Sequence, residues 1–216
     1  MKTTLTVQTD EPAPVSHLGS DRTRVACDAL KSGRMVVLSD GREATLVLSA
    51  ATATAGSVAQ MIRMGSGLVC VSMSRDRLRQ LSIPRMAAED ESPASRFHVA
   101  GDAAAGIGTG ISAVDRAHTL RLLSDQSSVS ADFTRPGHVI PVNGDIDSRV
   151  SPGTAELALI LVGLTNDPSP AAAYCALTSD RDPCEVAGPE EGAAFATEHG
   201  LAFLEREDVL TAFYRQ

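Results

Sequence analysis

The sequence predicts a single α/β domain, an α+β layered sandwich, on three observations. Short apolar runs of strand length alternate with segments of helical period. Glycine or proline punctuates most junctions between them. No internal repeat or linker divides the 216 residues, a length that suits one domain with a substantial core.

The elements follow in order. Val25, Ala26, Ala29 and Leu30 stand at helical spacing in a segment that Ser20 or Asp21 can cap, and Ser32-Gly33 stops it. Residues 1–19 before it read as a flexible arm, so the domain is expected over 20–216. Met35-Val36-Val37-Leu38 is a buried strand, and the polar loop Ser39-Asp40-Gly41-Arg42-Glu43 leads to a second, Thr45-Leu46-Val47-Leu48. A helix is expected over 54–64, a Gly-Ser-Gly turn at 65–67, a strand over 68–73 and a charged surface helix over 74–81. A polar loop over 84–95 precedes a short strand over 97–100 that carries His98. The Gly-rich loop at 106–110 opens onto a helix over 113–123. Loop and strand fill 133–141, and a polar loop fills 143–152. Thr154 is read as the cap of a helix that is apolar on nearly every side and therefore buried. A strand over 172–177, a helix over 189–199, a strand over 201–204 and a helix over 207–215 complete the chain.

Composition narrows the function. Hydrophobic content of 43% and charged content of 21% are ordinary for a soluble protein, and a net charge of −8 argues against a nucleic-acid partner. With no Trp, 2 Tyr and 5 Phe, the core must be built from Ala, Val, Leu and Ile. No run reaches the roughly 18–20 apolar residues of a membrane span. The first residues lack the apolar core of a signal peptide, which makes cytoplasmic residence the default expectation. Cys27, Cys70, Cys175 and Cys184 have neither zinc-site nor disulfide-framework spacing.

Several segments carry chemistry. Gly65 and Gly67 flank Ser66 where a helix must turn sharply into a strand. Thr109, Ser112, Asp115 and Arg116 stand at a helix start, either as a cap or facing a substrate. Pro136-Gly137 presents His138. Cys70 and Cys175 fall on core strands, where burial is their ordinary fate.

Four segments together resemble the 3,4-dihydroxy-2-butanone 4-phosphate synthase family. They are Arg63-Met64-Gly65-Ser66-Gly67-Leu68-Val69-Cys70, Thr109-Gly110-Ile111-Ser112-Ala113-Val114-Asp115-Arg116, Arg135-Pro136-Gly137-His138-Val139-Ile140-Pro141 and Thr197-Glu198-His199-Gly200-Leu201. Their order and spacing match the family over roughly residues 24–214. The resemblance implies a homodimeric α/β fold with its site close to the subunit interface. It also implies a magnesium-dependent conversion of ribulose 5-phosphate to a four-carbon ketone phosphate and formate, with His138 essential.

The same comparison shows departures. The family's Asp-Arg-Glu-Asn-Glu-Gly-Asp loop corresponds to Ser39-Asp40-Gly41-Arg42-Glu43-Ala44-Thr45, so two or more carboxylates are gone. Its Arg-Gly-Gly-His-Thr-Glu segment aligns with Val150-Ser151-Pro152-Gly153-Thr154-Ala155, which puts Gly153 where the family has its metal histidine. Its Cys-Glu-Leu-Thr-Asn-Asp segment becomes Cys175-Ala176-Leu177-Thr178-Ser179-Asp180, with Ala176 replacing an essential glutamate.

The expectation is therefore a repurposed, metal-independent enzyme acting on another small molecule, with specialised metabolism as one setting. His138 is its acid or base, assisted by Cys70, Asp115 and Glu43. Arg42, Thr109, Ser112, Arg135 and Thr154 are the substrate-binding candidates. No metal site is expected, Glu43 being the one remnant of it. No cofactor is expected either, with magnesium needed only if the family's own reaction persists. The expected partners are a small-molecule substrate and a second copy of the chain, without nucleic acid or membrane. A non-catalytic relative that binds a ligand or stabilises a partner is one alternative. A working synthase in which His118 or Asp147 reaches the metal is another.

Overall fold

A computed structural model describes residues 16–86, 96–145 and 151–215, with the side chains of 16–20 left aside. Seven strands form one mixed sheet in the order β4-β5-β3-β6-β2-β1-β7. They are β1 Val36–Ser39, β2 Ala44–Ser49, β3 Cys70–Met73, β4 Gly101–Ala103, β5 Phe133–Asn143, β6 Ala172–Ala176 and β7 Ala202–Glu205. The β5–β3 and β1–β7 pairs are parallel; the other four neighbouring pairs are antiparallel.

Helices cover both faces, giving three layers. α2 Ala55–Met64, α3 Arg75–Gln80, α4 Ala113–Ser124 and α6 Pro189–His199 pack on one side. There Val58, Met61, Leu78, Leu120 and Ala196 meet Val37, Leu46, Leu48, Val71, Val139 and Ala173. α1 Ser16–Lys31, α5 Thr154–Gly163 and α7 Arg206–Phe213 cover the other side. On that face Leu30, Leu157, Leu161 and Val209 meet Val36, Leu38, Val47 and Leu204. The alternation of side chains along each strand divides the apolar residues between these two cores.

The sheet and helices agree with the expected α/β layered sandwich. α1 begins at Ser16, earlier than the capping residues suggested; residues 1–15 of the expected arm lie outside the described residues. The expected strand over 97–100 is replaced by β4, which starts four residues later, since Phe97 and His98 make only isolated bridges to Val142 and Arg85. His98 is buried there, and desolvation lowers its pKa. Residues 87–95 and 146–150 of the two expected polar loops, Asp147 included, lie outside the described residues. α5 is buried as its composition requires, but its cap is Gly153, and Thr154 is already helical.

Close packing of α6 on the sheet depends on Gly192. A Cβ there would lie 2.3 Å from the Cβ of Ala44 and 3.5 Å from Val37. Gly192→Ala is expected to destabilise the fold by about 1–3 kcal/mol, the usual cost of overpacking a core contact. A urea titration measures this, with an unchanged midpoint contradicting the packing described.

Candidate functional site

Strand register gathers the site. Thr45 pairs with Ala176, Cys70 with Tyr174 and with Ile140. The β1–β2 turn, the end of β6, the start of β3 and the middle of β5 therefore lie along one edge of the sheet, on the face covered by α5. His138 stands two residues before Ile140 and so shares its face. Cys70, Val142 and Ala155 form a small apolar cluster there, with Ile140 and Tyr174 against it.

At one end of this row sits a histidine–carboxylate pair. Asp102, 5% exposed, accepts the backbone N–H of His138 on Oδ1 at 2.9 Å and meets its Nδ1 with Oδ2 at 2.7 Å. The carboxylate fixes the imidazole with its hydrogen on Nδ1, leaving Nε2 to accept or deliver a proton. Two glycines make the approach possible. A Cβ at Gly110, whose φ is +88°, would lie 2.1 Å from Asp102 Oδ2, and one at Gly137 would lie 2.4 Å from the Asp102 amide nitrogen.

The Gly-rich loop is fastened from below by Asp115 in the first turn of α4. Its Oδ1 accepts from Gly108 N–H at 3.2 Å and its Oδ2 from Gly110 N–H at 3.0 Å. The Gly108 amide foremost, with the Gly110 amide and the Ser112 hydroxyl, holds its carboxyl below the ordinary carboxylate range. Asp115 therefore acts through the loop that shapes the His138–Asp102 contact. Ser112 caps α4 by accepting the Asp115 amide, and Thr109 is exposed on the loop. Arg116 is buried, with one guanidinium N–H on the carbonyl of Gly67 and its Nε without a partner among the described residues.

At the other end of the row, Thr154 donates its hydroxyl toward Asp40 Oδ2 at 3.1 Å and Glu43 Oε1 at 3.4 Å. Asp40 Oδ1 accepts the amides of Arg42 and Glu43 at 2.9 and 3.1 Å, which closes the β1–β2 turn around a left-handed Gly41. Arg42 itself is exposed at the tip. Neither carboxylate forms an ion pair among the described residues. Between the two ends, Thr45 is 1% exposed and its hydroxyl has no partner among the described residues.

Two candidates take other parts than expected. Cys70 is 4% exposed, and burial pushes its thiol up to about 11, so it is a protonated floor group rather than a thiolate assisting His138. Its neighbour Tyr174 is raised by burial too. Arg135 stands three residues before His138, an odd separation that sends it to the opposite face. It donates to the carbonyl of Leu81 at 2.6 Å, and desolvation lowers its pKa. His118 lies on α4 beneath Gly106, away from the acidic turn. The sequence missed Asp102, a lone carboxylate without local signal, and Asp40, visible in the acidic loop but overshadowed by Glu43.

Residues 24–212 match the family model for 3,4-dihydroxy-2-butanone 4-phosphate synthase. The riboflavin biosynthesis protein RibBA of Mycobacterium tuberculosis is 38% identical over 200 residues, which cover 88% of this chain and 46% of that protein. The chain thus spans about half the length of the curated relatives it matches. Among solved structures, the Candida albicans 3,4-dihydroxy-2-butanone 4-phosphate synthase is 29% identical, covers 88% of this chain and 95% of its own, and gives a TM-score of 0.77. A 3,4-dihydroxy-2-butanone 4-phosphate synthase in complex with two magnesium ions is 28% identical, with a TM-score of 0.78 over 88% and 95% of the two chains.

Gly110→Ala is expected to force apart Asp102 and His138 and to strain a left-handed backbone position. The measurement is the NMR spectrum of the His138 ring, with Gly188→Ala as control, since nothing lies within 4 Å of a Cβ there. Ring signals that move in Gly110→Ala and stay in the control support the pair; identical spectra contradict it.

Proposed function

The chain belongs to the 3,4-dihydroxy-2-butanone 4-phosphate synthase family, and from that premise we propose that its cleft is an active site. The reaction is abstraction of a proton beside the carbonyl of a small hydroxylated ketone, with ribulose 5-phosphate the first substrate to test. The observation that carries this reading is the His138–Asp102 pair on the same sheet edge and face as the Asp40–Glu43–Thr154 group. A base within reach of a carbon acid, opposite an oxygen-rich group that holds the substrate's polar end, is the arrangement such chemistry needs.

The residues have distinct parts. His138 Nε2 takes the proton and returns it at the next stage. Asp102 holds the ring and stabilises the imidazolium that forms. Cys70, Ile140 and Tyr174 line the floor and keep water from the reacting centre, and Thr154 orders the acidic turn. Two carboxylates and a hydroxyl are a donor set that fits magnesium, which binds through one or two carboxylates and keeps further places for substrate oxygen and water. Bound there, the cation would polarise the ketone and its neighbouring hydroxyl. The sequence leaves Glu43 alone in that role; this reading adds Asp40, which shares the Thr154 hydroxyl with it.

A second reading rests on Ala176 and Gly153, which stand where the family carries a glutamate and a metal histidine. In that reading the same His138-centred cleft serves a different small molecule and no longer completes the loss of formate.

Formate release from ribulose 5-phosphate with magnesium distinguishes the two. Under the first reading the chain forms one formate and one four-carbon ketone phosphate per substrate, and His138→Ala lowers the rate by about 10²–10⁴, the usual worth of a general base. Absence of formate, with His138-dependent exchange of a substrate proton for deuterium, selects the second. Turnover unaffected by His138→Ala would falsify both.

The assembly is also proposed as a homodimer. Leu68, Ile111 and Val114 are all more than half exposed and flank the segments that carry Arg116 and the Gly-rich loop. Apolar side chains gathered beside a cleft suit a second copy of the chain. Sedimentation should give twice the monomer mass of 22.5 kDa, and Leu68→Glu with Val114→Glu should halve it; a monomer in the wild type contradicts this.

A further inference from the structure

We propose that the Tyr174 hydroxyl is a further catalytic group, the donor that holds the substrate's carbonyl oxygen as it becomes an enolate. The proposal deepens the reading above and rests on it. Tyr174 of β6 pairs with Cys70 of β3, which pairs with Ile140 of β5, so the three form one row across the sheet. Neighbouring strands lie about 4.8 Å apart, which sets Tyr174 roughly 10 Å from β5, the strand that carries His138. That span suits a small ketone lying across the row. The Tyr174 ring packs against Cys70, Val142 and Ala155, beneath the first turn of α5. Ala176, next on the same face of β6, presents only a methyl group and leaves the space above the ring open.

The hydroxyl is available for a ligand. Its hydrogen-bonding neighbour is the thiol of Cys70, a weak acceptor that it can leave for an oxyanion at little cost. The nearby carboxylates are engaged elsewhere. Glu43 receives the Thr154 hydroxyl, and Glu156 receives both Arg96 and the Gly153 amide. Burial foremost, with the Cys70 thiol and these two acids, raises the pKa of the phenol, so it keeps its hydrogen. The step then balances without a further acid. The C–H bond beside the carbonyl breaks, its proton passes to His138 Nε2, and its electron pair forms a carbon–carbon double bond. The carbonyl π pair moves to the oxygen, and that oxyanion accepts the Tyr174 O–H as a hydrogen bond. Base and donor stand on different strands and reach the substrate from opposite sides.

The chain has 2 tyrosines, and the other, Tyr214, is 74% exposed at the end of α7. Tyrosine labelled with ¹³C at the ring carbon bearing the hydroxyl therefore gives two NMR signals, one of them a built-in control. The probe is 4-phospho-D-erythronohydroxamate, a stable mimic of the enediolate of ribulose 5-phosphate. In the full-length wild type the Tyr174 signal is expected to move on saturation with the probe while that of Tyr214 stays. Tyr174→Phe removes only the hydroxyl, and circular dichroism checks its fold. It is expected to bind the probe about tenfold or more weakly, as loss of a hydrogen bond to a charged group does. Its kcat is expected to fall by about 10²–10³, the worth of one donor to a developing oxyanion, with KM little changed. A bound probe that leaves the Tyr174 signal in place overturns the proposal, as does a folded Tyr174→Phe with wild-type kcat and probe affinity. Either result alongside His138-dependent turnover leaves the function standing. A Tyr174 signal that moves without any such turnover removes the catalytic reading and leaves Tyr174 as a ligand contact. A wild type that neither binds the probe nor turns over removes both.

Discussion

The contact between Asp102 and His138 sets what the rest of the cleft must be. A carboxylate only 5% exposed is costly unless its oxygens are hydrogen-bonded, and here both partners come from one residue, through the amide and the ring of His138. The geometry leaves no room for a side chain at Gly110 or Gly137, and it requires the Gly-rich loop to be held down, which Asp115 does with both oxygens. The Arg-Pro-Gly-His strand and the glycine loop are therefore two halves of one device. A histidine oriented in this way has one ring nitrogen free, and the position of that nitrogen follows from the backbone rather than from a flexible side chain.

Strand register carries this constraint to the other end of the site. The antiparallel pairings place the β1–β2 turn beside the end of β6, and the parallel β3–β5 pairing brings His138 to the same edge. α5 lies across that edge with its first residue over the acidic turn. A slip of one residue in any pairing would turn Thr45, Tyr174 or Cys70 to the opposite core. The buried apolar residues of both faces thus fix the site as firmly as its polar groups do.

Much of this was legible in the sequence, and the failures have physical causes. The Gly-Ser-Gly turn, the histidine motif and the buried α5 depend on local chemistry, and local chemistry reads well from a chain. Asp102 and Asp40 depend on pairings 36 and 114 residues apart in sequence, for which nearby residues give no sign. Thr154 resembles an N-cap because hydroxyls favour that position, but Gly153 occupies it and frees the hydroxyl for the turn. Arg135 could have been set aside from spacing alone, since residues three apart in a strand face opposite ways. Cys70 is the opposite case: its burial was the ordinary expectation for a core strand, and the family resemblance outweighed it.

The central claim is that the histidine pair and the acidic turn face one substrate. A crystal soaked with manganese and ribulose 5-phosphate tests it most directly, through anomalous scattering and the ligand density together. A manganese peak is expected within bonding distance of Asp40 and Glu43, roughly the 2.0–2.2 Å typical of such ions with oxygen. A ligand carbon or hydroxyl is expected within hydrogen-bond reach of His138 Nε2. A ligand bound at one end with the other facing empty solvent, or a metal held elsewhere in the fold, would contradict it.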